Sequence, residues 1–195
     1  MVTLFPDSKQ YWLQLASLQL QQKQEKAAFL THQLAHTKGL LDKGSELKQL
    51  AQFHAYFSQP YEAGKILESA INSGILETKN SVLELLANYW INAKETDKAI
   101  AVLTKLIRLD YSDDRLERLA HLQLQQGQYQ STIDLLQTHP VESAYKQGKF
   151  HLMEAITLIR LQRFNEALPI LEEIQGDEKL ASQANRWIEY ARSRM

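Results

Sequence analysis

Five small residues recur along this chain at a nearly constant interval. Ala16, Ala51, Ala87, Ala120 and Ala155 lie 35, 36, 33 and 35 residues apart. Twelve residues after each stands another small residue: Ala28, Ala63, Ala99, Thr132 and Ala167. Three segments align without gaps around that second position. Tyr61-Glu62-Ala63-Gly64-Lys65-Ile66-Leu67 matches Asp97-Lys98-Ala99-Ile100-Ala101-Val102-Leu103, and both match Asn165-Glu166-Ala167-Leu168-Pro169-Ile170-Leu171. A leucine follows each of these alanines by four residues, and Ala70, Leu106 or Ile174 follows three later. The spacing is helical in both halves of each unit, since residues three and four apart share one helix face. Leu47, Leu50, Ala51 and His54 form one such stripe, and Leu83, Leu86, Ala87 and Trp90 another. Small residues at matched places let two helix backbones approach closely while larger neighbours fill the gaps. A single pair of helices cannot bury both faces, so successive pairs must stack into a continuous core.

Composition agrees with helices in series. Seven glycines and four prolines in 195 residues are sparse punctuation for a strand-rich or loop-rich fold. No stretch approaches the ~20 apolar residues needed to span a membrane, so direct membrane insertion is not expected. Twenty-two basic against 23 acidic side chains give a net charge of −1, which argues against nucleic acid as partner. Without cysteine the chain has no disulfide, thiolate zinc site or cysteine nucleophile. Met1 to Asp7 show no basic end followed by an apolar core, so no signal peptide is read there.

The order of residues within each unit resembles the tetratricopeptide repeat. Trp12-x-x-Leu15-Ala16 carries the opening of that motif, Leu119-Ala120 with Gly127-x-Tyr129 its middle, and Ala63, Leu67 and Ala70 its close. Phe164 and Ala167 repeat the aromatic-to-alanine step in the last unit. The resemblance implies an all-α, right-handed solenoid of helix-turn-helix repeats forming one domain over 1–195. The repeats would fall at about 9–43, 44–79, 80–112, 113–147 and 148–177. A capping helix is expected at about 178–193, with Leu180, Ala184, Trp187, Ile188 and Ala191 inward and Gln183, Arg186, Glu189 and Arg192 on its polar outer side. Leu4-Phe5-Pro6-Asp7 resembles the close of a preceding repeat, so the chain reads as the C-terminal piece of a longer array. The fourth unit is irregular. Its second helix should stop at His139-Pro140, because proline disfavours helical geometry in the preceding residue. The next helix should start early, with Thr138 as a candidate cap and a lengthening or bend near Gly148.

In the family that this pattern resembles, first helices line the concave side of the array. The residues expected there are Gln10, Leu13 and Ser17, then Lys48, Gln52 and Tyr56, then Glu84, Asn88 and Asn92. Glu117, His121 and Gln125 follow, and then Leu152, Ile156 and Arg160. Amides, a tyrosine and balanced charges suit a peptide's backbone and polar side chains. Leu152, Ile156 and Ile159 form an apolar patch that takes a hydrophobic anchor, or is core if the fifth unit packs on the capping helix. The family variant that grips a terminal carboxylate is rejected. Lys48 fits it, but Gln52 and Leu85 stand where asparagines belong and Asp114 would repel the ligand.

No catalytic constellation emerges, and neither cofactor nor metal is expected. His32 and His36 share a helix face, but no His-Glu-x-x-His carboxylate or third ligand accompanies them, so they read as helix surface. His54, His121 and His151 are spread over three repeats, with His54 a core or rim residue. Glu172-Glu173 and Asp113-Asp114 are consecutive and point apart. Arg186, Arg192 and Arg194 could meet phosphate but read as a solvated helix end. The expected role is a non-enzymatic scaffold holding a peptide or helix of a partner protein; the alternative is pairing of two copies through exposed repeat ends or the apolar fifth unit. Phe5-Pro6-Asp7-Ser8-Lys9-Gln10-Tyr11-Trp12-Leu13-Gln14-Leu15, Gly44-Ser45-Glu46-Leu47 and Pro60-Tyr61-x-Ala63 also resemble repeat proteins encoded beside TonB-type energy-transduction components in Gram-negative bacteria. That likeness implies a periplasmic location and a role in envelope uptake; without it the expectation is cytoplasmic.

Overall fold

The computed structural model describes residues 3–139, 141 and 143–195. Among these residues there are eleven helices and no strand. They are α1 Lys9–Gln21, α2 Glu25–Thr37, α3 Gly44–Tyr56, α4 Pro60–Asn72, α5 Asn80–Asn92, α6 Thr96–Leu109, α7 Asp113–Gln125, α8 Tyr129–Thr138, α9 Ala144–Arg160, α10 Phe164–Ile174 and α11 Ala181–Arg192. The chain divides into two compact units, Met1–Val102 and Leu103–Met195, with the boundary inside α6.

The recurring small residues are where helices meet. Ala16, Ala51, Ala87, Ala120 and Ala155 are all fully buried, and so are Ala28, Ala63, Ala99, Thr132 and Ala167 twelve positions on. Thr132 tolerates burial because its hydroxyl donates to the Gln128 carbonyl at 3.0 Å. In the first unit α1 packs on α2 and α3 on α4, while α2 and α4 each also pack on the next helix. Trp12, Phe29, Leu41, Leu47 and Leu50 form the core there. Burying such side chains stabilises by roughly 1.5–3 kcal/mol each relative to exposure.

One turn is repeated five times. The residue seven positions after each key alanine adopts positive φ: Lys23 (60°), Ser58 (60°), Lys94 (63°), Gly127 (70°) and Gln162 (59°). Its own N–H and the next one reach back to the last turn of the first helix, as in Lys23 to the Leu20 carbonyl (2.9 Å) and Gln24 to that of Gln19 (2.8 Å). Only Gly127 adopts this left-handed geometry without steric cost; the other four are held in it by the packing on either side.

In the second unit α7 packs on α8, α8 on α9 and α9 on α10. Helix α11 then contacts α10 and α9 as α9 contacts α8 and α7, so it takes the place of a further first helix. Its own Ala184, Ile188 and Ala191 and its N-cap Leu180 are buried against the core, and Trp187 is half-buried. The irregular fourth repeat differs from expectation in detail. Helix α8 ends at Thr138, and His139 is extended (φ −109°, ψ 124°), as a residue before proline should be; Pro140 itself lies outside the described residues. Thr138 does not cap the next helix. Its hydroxyl donates to the Asp134 carbonyl at 2.7 Å within α8. Helix α9 starts at Ala144 after Ser143, four residues ahead of the boundary expected at 148, and runs unbroken through Gly148. A Cβ at Gly148 would lie 2.8 Å from Leu180 Cδ1, so the glycine serves close approach rather than a break.

Candidate functional site

In the first unit the groove residues expected from sequence occupy α1, α3 and α5. Gln10, Gln52, Tyr56, Asn88 and Asn92 are exposed, while Lys48 and Glu84 are half-buried. In the second, His121, Gln125 and Arg160 are exposed, and Glu117 is half-buried in an ion pair with Lys149 at 3.4 Å. Leu152 must be corrected. It is 6% exposed and belongs, with Ile159, to the core that α11 closes, and Ile156 packs against that core. The apolar patch of the fifth repeat is therefore the seat of the capping helix.

Two of these residues meet in a cleft of ≈ 410 Å³ in the first unit. Its wall on one side is Leu20, at the end of α1, and Glu25, the first residue of α2; on the other are Gln49, Gln52, Phe53 and Tyr56 of α3. Tyr56 projects at 67% exposure, and its hydroxyl donates to Glu25 Oε2 at 2.7 Å. That bond to a carboxylate, and the charge behind it, push the phenol above its ordinary pKa. Phe53 is half-buried and held from behind by rings: Phe29 at 6.2 Å and His32 at 5.3 Å between centroids. The cleft therefore has a fixed aromatic floor and an adaptable polar rim. The two glutamine amides can donate to and accept from a peptide backbone, and Leu20 and Phe53 can take an apolar side chain.

The histidine pair also departs from expectation. His32 is buried at 4% exposure, not on the surface, with Nδ1 3.2 Å from the Ala28 carbonyl; His36 is exposed. Burial holds the His32 pKa below its ordinary value. Helical spacing placed both rings on one face but could not show that Phe53 would cover only the first. His54 is buried in the core, 2.8 Å from Gln59 Oε1.

No family model and no curated relative matches the sequence. Solved structures do. YrrB, a tetratricopeptide-repeat protein with an unusual peptide-binding site, superposes with a TM-score of 0.59 at 14% identity, over 95% of either chain. MamA AMB-1 gives 0.61 at 15% identity, covering 88% of this chain and 92% of that one. A tetratricopeptide-repeat protein from Bacteroides fragilis gives 0.59 at 11% identity over 96% and 99%. The chain thus has the tetratricopeptide-repeat fold, the all-helical repeat class that its spacing implied.

Proposed function

We propose that the chain is a non-enzymatic protein-interaction scaffold that holds a peptide or helix of a partner protein. The observation that carries this reading is the α1–α3 cleft, where Gln52 and Tyr56 flank the half-buried ring of Phe53. A partner's apolar side chain would sit on Leu20 and Phe53 while Gln49 and Gln52 bond its backbone. Among the described residues Glu25 is the only charged group in the lining, so neutral or basic segments are favoured over acidic ones. The peptide-binding site of YrrB is a precedent on the same fold. We include the periplasm in the proposal, on the likeness of the connecting residues; recovery of the native protein only in the cytoplasmic fraction of the source cell would overturn that part.

The test is selection of a random dodecapeptide display library on the immobilised chain, in parallel with a Gln52→Ala, Tyr56→Ala variant. A class of peptides with an apolar anchor and no acidic residues should emerge and bind the variant about tenfold more weakly. Equal recovery on both proteins would sink the cleft assignment. Light scattering against concentration addresses the rival reading, since a mass that rises with concentration would favour pairing of copies.

A further inference from the structure

A second cleft, of ≈ 810 Å³, opens in the second unit between the end of α9, the start of α10 and one face of α11. Its lining brings together three arginines, Arg160, Arg186 and Arg194, and three aromatic rings, Phe164, Trp187 and Tyr190. Among the described residues no aspartate or glutamate lines it. Two nearby carboxylates are already committed to other arginines: Glu166 to Arg163 at 2.5 Å and Glu172 to Arg192 at 2.9 Å. Among the described residues none of the three cleft arginines is in an ion pair. Arg186 Nε donates to the Ser182 carbonyl at 3.3 Å, and the Arg194 guanidinium lies 5.6 Å from the Tyr190 ring centre. A guanidinium stacked near a ring keeps its N–H edges free for a second partner. The sequence reads Arg186 and Arg194 as a solvated helix end; the fold brings both into one cleft with Arg160, which lies 26 and 34 residues earlier in the chain.

We propose that this cleft is a docking site for an acidic peptide segment carrying an aromatic or aliphatic anchor. Carboxylates of the segment would take the arginine forks, and the anchor would lie against Trp187, Phe164 and Tyr190. The complementarity is local. A chain with net charge −1 offers no general attraction to polyanions, so three uncompensated arginines in one concavity mark a site and not a field. Arginine and aromatic residues are also the types enriched at the centres of protein interfaces. The partner class, a peptide, rests on the scaffold reading; the charge preference rests on this cleft alone.

The same dodecapeptide library tests it, selected on the full chain, on Arg160→Ala, Arg186→Ala, and on Gln52→Ala, Tyr56→Ala. The wild type should enrich sequences with several Asp or Glu around a Trp, Phe or Leu. That class should vanish on the arginine variant and survive on the Tyr56 variant, while the neutral class does the reverse. Failure of the neutral class alone to emerge on the wild type would count against the α1–α3 site and leave this one standing. A selected acidic peptide should lose about fivefold in affinity per arginine removed and weaken as salt rises. It should also change tryptophan emission in the wild type but not in Trp187→Phe. Arg160 and Arg186 are exposed, so circular dichroism melts of the arginine variant should match the wild type. Three results would overturn the proposal: no acidic enrichment, acidic enrichment that persists on the arginine variant, or a twelve-nucleotide oligothymidylate that outcompetes every selected peptide at this site.

Discussion

The α1–α3 and α9–α11 clefts are built to one plan. Leu20 and Ile159 each stand four residues after a key alanine, and Glu25 and Phe164 each open a second helix. Gln52, Phe53 and Tyr56 of α3 are matched in spacing by Arg186, Trp187 and Tyr190 of α11. The aromatic seat is thus kept, while the charged and polar positions around it are exchanged: a carboxylate and amides at one cleft, arginines at the other. The back walls differ as well. Sixteen residues after Ala16 stands His32, and sixteen after Ala155 stands Leu171, both buried. Repetition fixes where a cleft forms and how an aromatic ring is offered. A handful of positions that carry no packing duty decide what enters.

The back wall gives the largest expected effect. Leu171 of α10 is fully buried in a core that it shares with residues of α9 and α11, so Leu171→Ala should cost about 2–5 kcal/mol. Urea titration followed by tryptophan emission would measure it. A loss below about 1 kcal/mol would show that α10 does not support the arginine cleft.

His32 makes the first cleft acid-sensitive in a way that Leu171 cannot. Burial lowers its pKa; the Ala28 carbonyl, Gln49 and the charge of Glu46 only partly offset this. A folded-state pKa below the unfolded 6.5 means that the unfolded chain binds the proton more readily. The stabilisation is therefore complete above pH 6.5 and is lost as pH falls through the depressed value. His36 is lowered too, by burial and by the charge of His54, so the informative quantity is a difference. His32→Leu should flatten the fall in melting temperature between neutral and acidic buffer. Parallel curves for variant and wild type would refute a buried, neutral His32.

Exchanging the rims is the direct way to break the comparison. Gln52→Arg, the residue matched to Arg186, combined with Glu25→Gln, should give the first cleft several-fold higher affinity for acidic peptides. Competition binding with Arg160 and Arg186 replaced by alanine would isolate that gain. If none appears, rim charge does not set the preference of these clefts.

Much of the fold was legible because packing forces a periodic demand: two helices that touch need a small residue at each contact. The turns were not. Gly127 announces positive φ, but Lys23, Ser58, Lys94 and Gln162 do so only through their register with the alanines. The capping helix was visible as a stripe, yet its consequences for Leu152 were not, because periodicity shows which face a residue is on and not what covers it. Arg186 reads as solvated and is exposed, but its place in a cleft was hidden for the same reason. Its helical angle is polar, but the end of α9 rises beside that face and turns it into a wall.

The smallest effect tests the rim of the first cleft. Tyr56 donates to Glu25, and ionising the phenol would set two negative charges against each other. The neutral phenol is therefore favoured in the folded chain. Whatever stability this adds is full below the ordinary phenol value of 10.0 and disappears as pH rises through the raised one. Both groups are solvated, so Glu25→Gln should leave the melting temperature nearly unchanged. It should nonetheless move the Tyr56 titration down toward 10.0 in ultraviolet difference spectra, read against Tyr56→Phe. A titration that ignores the Glu25 substitution would mean that the hydroxyl is free to meet a ligand directly.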